Sequence, residues 1–422
     1  MAAKKRQLTC VDLFAGCGGL SLGLEKAGFE NVFVNELHPD AMSTFVNNRP
    51  HAPIQNPKYQ VNDILKLTRK RSVLQDLSKD LNGKYNGVDL VVGGPPCQGF
   101  SGIGHRRTFE VTKEEIPTNY LYREMAKAVT DIAPKVFIFE NVRGLLTSRW
   151  TPEGEKGEIW RDVVKTFSRI SVKVGNRNYS YRIGFQLLYA KDYGVPQNRP
   201  RIVMVGVRED IDSSDTGSSI AGGSLPMPIG GAPDPIDFLS DLIDPKWTPG
   251  GATTKYPKVA RSDFQKMLRT LPNSHIIAGK GDPLTEHEYS NHAPLVMKKF
   301  QYMIDHNGEI PESMKTKKFA QRLIPEHWGE NGPNITATSL ADDYVHYSQP
   351  RVLTVREWAR LQTFPDWYQF AGKRTTGGRR RAGNLEIGDW HRELPKYTQI
   401  GNAVPVQLAE QIGLHIKGIL ER

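Results

Sequence analysis

The chain is poor in cysteine. Its three cysteines, Cys10, Cys17 and Cys97, are too few and too irregularly spaced for a disulfide framework or a zinc site. His287 and His292 lack a metal-ligand spacing and have no cysteines beside them, so no metal site is expected. Long apolar runs are missing as well. No stretch approaches the length that spans a bilayer, and the basic start MAAKKRQLTCVDLF lacks the apolar core of a signal peptide. These absences exclude a disulfide-stapled or membrane-spanning protein and fit a reducing cytoplasm. Acids are in deficit: 46 Asp and Glu face 56 Lys and Arg, a net charge of +10. That balance fits a polyanionic partner, and equally a merely basic enzyme. A GxGxxG turn is absent too, which argues against a dinucleotide enzyme.

What is present is ordinary globular composition, 38% hydrophobic and 24% charged over 422 residues. That length holds one large domain and a smaller one, or two of similar size. From residue 9 to about 208, short apolar runs alternate with helical periodicity. TCVDLF, VFVNE, VDLVVGG and KVFIFEN read as strands, and segments near 20–27, 40–47, 72–82 and 121–133 as helices. This alternation predicts a parallel sheet covered on both faces. YRIGFQLLYA and RIVMVGVR follow, joined by a link too short for a crossover helix, so they are expected to be antiparallel neighbours. Residues 212–235 are rich in Ser, Gly and Pro and read as a boundary. Residues 236 to about 345 lack clear periodicity and read as an irregular second domain. The pattern recovers at VLTVREWARLQTF, a strand start or turn feeding a helix, and in an amphipathic final helix at 404–421.

Chemistry-bearing residues gather at predicted strand ends. The first strand runs into DLFAGCGG, with Gly16, Gly18 and Gly19 where strand turns to helix. Glu36 ends the second strand, where a carboxylate commonly binds ribose hydroxyls, and together they fit an adenosine-containing cofactor. Asp63 follows the third strand, as a cofactor ligand or as a plain helix N-cap. GGPPCQGFS places Cys97 after the fourth strand, between prolines and glycines that stiffen and open the backbone around the thiol. Taken alone, it reads equally well as a tight turn with a packed cysteine. Glu140 ends the next strand, as a functional carboxyl, a cap or a salt-bridge partner. Arg199 and Arg201 flank Pro200, and on an extended chain they share a face, for oxygen binding or mere solvation. Open α/β sheets bind ligands beyond the carboxyl ends of their strands, so these groups are expected to converge. A thiol nucleophile, a carboxyl proton donor, an arginine, an adenosine cofactor and a polyanion fit methyl transfer to C5 of cytosine.

In order along the chain, DLFAGCGG, NE at 35–36, ND at 62–63, GGPPCQGFS, NYLY, FENV, QNRPR, RVLTVREWARLQTFPD and QIGNAVP resemble the motifs of the cytosine-C5 DNA methyltransferases. The resemblance spans most of 9–208 and 351–422 and is strongest toward the prokaryotic, restriction-modification type. It implies an α/β fold: a Rossmann-like mixed sheet that binds S-adenosyl-L-methionine, with a smaller target-recognition domain. The implied division is a catalytic domain at 1–208, target recognition at 209–350, and a C-terminal segment at 351–422 completing the catalytic domain. Cys97 would be the nucleophile, Glu140 the ligand of the base N3 and amine, and Arg201, with Arg199 nearby, the ligand of its oxygen. Phe14, Glu36, Asp63 and Leu121 would surround the cofactor's adenosyl group, with Pro95 beside them. Asn402 and Val404 would close that site. Ser101, Arg106, Arg107 and Gln197 are expected to meet DNA, with 334–349 approaching the extruded nucleotide's backbone. The basic, acid-free piece at 372–384 lies outside the shared pattern, as a phosphate-contacting loop or a disordered one. The implied partner is double-stranded DNA, with a restriction endonuclease acting on the same site as a further partner. A monomeric, stand-alone prokaryotic or phage enzyme of the cytoplasm is expected. A tRNA-methylating enzyme is the other branch, and the size of 209–350 favours DNA. A catalytically silent DNA-binding regulator is a third option, and the retained Cys97, Glu140 and Arg201 argue against it.

Overall fold

In a computed structural model, the apolar runs of the N-terminal half become neighbouring strands of one sheet. The structure describes residues 6–96, 120–211, 225–315, 321–328, 333–335, 343–375 and 393–421. The chain forms two compact units. One comprises Met1–Tyr189, Pro200–Pro228 and Leu408–Arg422; the other comprises Ala190–Arg199 and Ile229–Gln407.

The first unit is built on β1 (Leu8–Leu13), β2 (Phe29–Asn35), β3 (Gln60–Val61), β4 (Leu90–Gly93), β5 (Val136–Val142), β6 (Ser171–Val174), β7 (Arg177–Tyr189) and β8 (Pro200–Arg208). Their spatial order is β3-β2-β1-β4-β5-β8-β7-β6. The first five in that order are parallel. β8 runs antiparallel to β5 and to β7, as expected for two long strands joined by a short link. The sheet is therefore mixed. β4 and the first four residues of β5 are buried throughout, which is why they read as unbroken apolar runs.

Among the described residues, the helices of this unit include α1 (Gly19–Ala27), α2 (Pro39–Asn47), α3 (Ile64–Thr68), α4 (Arg71–Tyr85), α5 (Leu121–Ile132) and α6 (Glu158–Ser168). On α5, Tyr122, Met125, Ala126, Val129 and Ile132 recur at steps of three and four and are all buried. The final helix, Val406–Leu420, is tied to α1 by its later part. Lys417 donates to the Ala27 carbonyl at 3.2 Å, and Glu410 pairs with Lys26 at 2.6 Å. The strand order reverses between β1 and β4, whose last residues Leu13 and Gly93 are register partners. That switch point is where open α/β sheets leave a ligand crevice.

The second unit has short elements: α7 (Pro235–Leu239), α8 (Asp263–Arg269), α9 (Pro294–Asp305), the parallel pair β9 (Arg322–Leu323) and β10 (Tyr344–Val345), α10 (Val355–Leu361), and a helix at Lys396–Asn402. α10 realises the helix expected in VLTVREWARLQTF. Thr354 and Glu357 close a capping box at its start. All seven of its residues are buried, charged ones included. Arg351 meets Glu357 with two bonds of 2.7 Å. Arg360 pairs with Asp241 at 2.6 Å and Asp366 at 2.5 Å, and Arg269 pairs with Asp241 at 2.6 Å. Paired ions thus occupy the interior where apolar periodicity is weak.

Candidate active site

The glycine turn leaves β1 with Phe14, Gly16 and Gly18 all at positive φ, 59°, 57° and 85°. Glycine takes that conformation without strain; Phe14 does not, and its neighbours hold it there. The Phe14 amide donates to Asn35 Oδ1 at 3.3 Å and the Ala15 amide to the Asn35 carbonyl at 3.0 Å. Asn35 also donates to the carbonyls of Val61 and Asn62 at 2.8 and 2.9 Å, so one side chain aligns the ends of β1, β2 and β3. Beside it, Glu36 accepts from the Gly16 amide through Oε2 and from the His38 amide through Oε1, both at 2.8 Å. Desolvation raises the Glu36 pKa despite those donors. Asp63 fills the simpler of its two expected roles: Oδ1 caps α3, accepting from the Leu65 amide at 2.9 Å. Leu121 opens α5 and packs against the same core as Phe14.

The next strand ends carry the second group. β4 stops at Gly93, with Phe139 of β5 as its register partner. A Cβ on Gly94 would lie 2.9 Å from Glu140 Oε2, so only glycine lets the chain pass the carboxyl this closely. Asn141 donates to the Pro95 carbonyl at 3.0 Å and fixes the chain two residues before the thiol. Arg201, paired across the ladder with Val142, approaches Glu140 Oε1 with Nε at 2.5 Å. Burial still raises the Glu140 pKa, with the guanidinium opposing. A carboxyl inclined toward its protonated form thus lies beside a fixed cation, close to the backbone that leads to Cys97.

Not all expected residues fall in this unit. Arg199 precedes β8 and falls in the other unit, whereas Arg201 is the second residue of the strand. Pro200 begins the strand, and the two guanidinium groups have different partners. Arg199 donates to the Ile335 carbonyl. Gln197 is fully buried and donates to the Leu361 carbonyl at 2.8 Å and Gln362 Oε1 at 2.7 Å. Asn402 ends its helix with an exposed side chain, and Val404 is buried. Gln362, not singled out from sequence, donates to the carbonyls of Ile400 and Ala403 at 2.8 and 3.2 Å and so braces that loop. Asn35 and Asn141 were also missed, although each adjoins an expected carboxylate, Glu36 or Glu140. Cys97, Ser101, Arg106 and Arg107 lie outside the described residues, as do 336–342 and most of 372–384.

Known proteins match the chain over nearly its whole length. The family model for C-5 cytosine-specific DNA methylases matches residues 8–418. The chain is 30% identical to the type II methyltransferase M1.HphI of Haemophilus parahaemolyticus over 409 residues, covering 96% of this chain and 85% of the relative. It is 30% identical to M.Eco47II of Escherichia coli, covering 98% and 80%. A crystal structure described as a prophage-encoded DNA modification methyltransferase of E. coli shares the fold, with TM-score 0.66 at 23% identity and coverage of 98% and 100%. With nearly its whole length matched, the chain belongs to the C-5 cytosine-specific DNA methylases.

Proposed function

We propose that this enzyme methylates C5 of a cytosine flipped out of duplex DNA, using S-adenosylmethionine and a covalent bond between Cys97 and C6. The observation that carries this reading is the Glu140–Arg201 pair, packed against Gly94 and two strand ends from the glycine turn. C5 of cytosine is too weakly nucleophilic to react unaided. Addition of the Cys97 thiolate to C6 gives an enamine with electron density at C5. Glu140 holds the proton at N3 that accepts the displaced charge, and Arg201 fixes the exocyclic O2 oxygen of the base. Loss of the C5 proton and elimination of the thiolate restore the aromatic ring and free the enzyme. Flipping costs about a few kcal/mol in unstacking and unpairing.

The residues at the turn fit the cofactor. Glu36 uses one lone pair of each oxygen on backbone amides, which leaves lone pairs for two ribose hydroxyls. Phe14, Leu121 and the second oxygen of Asp63 suit an adenine ring and its amine, with Pro95 near the same edge. When bound, S-adenosylmethionine supplies an electrophilic methyl group. In this reading 1–208 and 351–422 make the catalytic domain and 209–350 reads the bases around the target. Ser101, Arg106, Arg107 and Gln197 serve the DNA side. The enzyme works as a cytoplasmic monomer alongside a restriction endonuclease for the same site.

The test uses duplex DNA in which 5-fluorocytosine replaces cytosine. Fluorine cannot leave as a proton does, so the wild-type enzyme forms a gel-stable adduct and Cys97→Ser forms none. Turnover on normal DNA without any adduct refutes addition of Cys97 to C6. Bisulfite sequencing of DNA from expressing cells gives the modified site in the same experiment.

A further inference from the structure

Beneath the glycine turn, a row of polar side chains joins β1, α1, β2 and the segment after α2. Asp12, Ser21, Asn31 and Arg49 are each at most 6% exposed. Ser21 Oγ lies 2.5 Å from Asp12 Oδ2 and 3.0 Å from Asn31 Oδ1. Asn31 Nδ2 donates to Glu25 Oε1, which also accepts from Arg49 Nε at 2.6 Å. Arg49 then reaches the turn, donating from Nη2 to the Gly18 carbonyl at 3.2 Å and from Nη1 to the Phe45 carbonyl at 2.8 Å.

Counting protons along this row gives a definite answer. The Glu25 carboxylate obliges Asn31 to present its amide N–H, because the reverse orientation would set two acceptors against each other. Asn31 Oδ1 therefore faces Ser21 and needs a proton. A hydroxyl has only one to give. If Ser21 gives it to Asn31, Asp12 must bring its own. If Asp12 is ionised, one of the two oxygen pairs has no proton between its atoms, and a buried hydrogen bond goes unmade. We propose that Asp12 is a positioning residue, protonated in the folded enzyme, which donates the first hydrogen bond of a row that fixes the glycine turn for its cofactor.

The surroundings support this. Burial raises the Asp12 pKa from 3.8 to about 7. The charged groups around it are Glu25 of α1 and Glu36 at the end of β2, which raise it, and Arg49, which lowers it together with the Ser21 hydrogen bond. Its neighbour Cys10 is also pushed upward by burial and is an uncharged thiol. The inference rests on reading the turn as the S-adenosylmethionine site.

Two measurements test it. The first is calorimetric binding of S-adenosylhomocysteine to wild-type, Asp12→Asn and Asp12→Ala enzyme at pH 6 and pH 8.5. An asparagine amide reproduces the donor of the protonated acid. D12N is expected to keep wild-type affinity at pH 6 within about threefold and to hold it at pH 8.5; wild type weakens roughly tenfold over that range, and D12A is weak at both. His38, beside Glu36, is common to all three proteins and cancels in the comparison. D12N as weak as D12A, or a wild-type pH trend that survives in D12N, overturns the proposal. The second is the ¹³C titration of the Asp12 carboxyl, assigned by its loss in D12N. It needs no ligand and stands even where D12A fails to fold. Titration near pH 4 overturns the protonated state; titration near 7 supports it. A wild-type enzyme that binds no S-adenosylhomocysteine at either pH overturns the cofactor reading and the positioning role with it, while the carboxyl titration still decides the protonation state.

Discussion

Glu140 lies 2.5 Å from a guanidinium and is nonetheless held toward its protonated form, because desolvation outweighs the attraction of Arg201. That tension is useful in a group that must hold a proton at the base N3 as thiolate adds at C6. It also makes the position of the carboxyl critical, and Gly94 controls that position. A methyl group on residue 94 would stand 2.9 Å from Glu140 Oε2 and 3.7 Å from its carbonyl oxygen, so the side chain must turn away. We expect Gly94→Ala to lower kcat by about tenfold to a hundredfold, since displacements of about an ångström have effects of that size. Cofactor affinity should stay near wild type, because the Glu36 contacts are untouched. An unchanged kcat would show that Glu140 has room to move without consequence. Glu140→Gln should be worse by a further factor of about ten, since the amide cannot pass its proton on.

Among the elements, β5 and β8 form the antiparallel seam that carries Glu140 and Arg201, and its fit depends on one residue. A Cβ on Gly206 would sit 2.1 Å from the ring of Phe137, its register partner. Gly206→Ala is therefore expected to destabilise the protein by about 3 kcal/mol or more, at the upper end of overpacking costs. Combining it with Phe137→Leu should recover part of that loss. Additive losses in urea unfolding would disprove the contact. This seam was legible in the sequence as two long strands with a short link, and the parallel strands were legible as unbroken apolar runs. The turn at Gly16 and Gly18 and the ends at Glu36 and Glu140 were legible from residue types alone. The supporting asparagines were not. Asn35 and Asn141 act through backbone carbonyls of distant residues, Val61, Asn62 and Pro95, and no periodicity announces that. Residues 236–345 were read only as irregular, for a physical reason. Asp241 and Arg269 are buried there and paired, whereas pattern reading takes charge to mark solvent.

For the molecule as a whole, that buried ionic core has a pH signature. His287 and His346 lie inside it, 1% and 0% exposed. Burial, aided by the nearby arginines and opposed by Glu357, lowers their pKa values from 6.5 to about 4 and about 3. His287 bonds Thr354 Oγ1 at 2.8 Å and the Leu242 carbonyl at 3.1 Å as a neutral ring. The groups facing His346 are Arg351, Glu357, His287 and Lys258. Both histidines are depressed in the folded state, so the unfolded chain binds their protons first. The stability they support is complete above pH 6.5 and is lost as pH falls toward 4. Carboxylates elsewhere titrate in the same range, so the contribution is best read as a difference. The gap in unfolding free energy between wild type and His287→Asn should shrink on acidification from pH 6 to pH 5 by about 1 kcal/mol, which is close to one proton's linkage. In parallel, the imidazole ¹H resonances of His287 and His346 should show no titration down to pH 5. A constant gap, together with either ring titrating near 6.5, would mean that water reaches this core. The second unit would then owe its stability to something other than paired ions around two neutral rings.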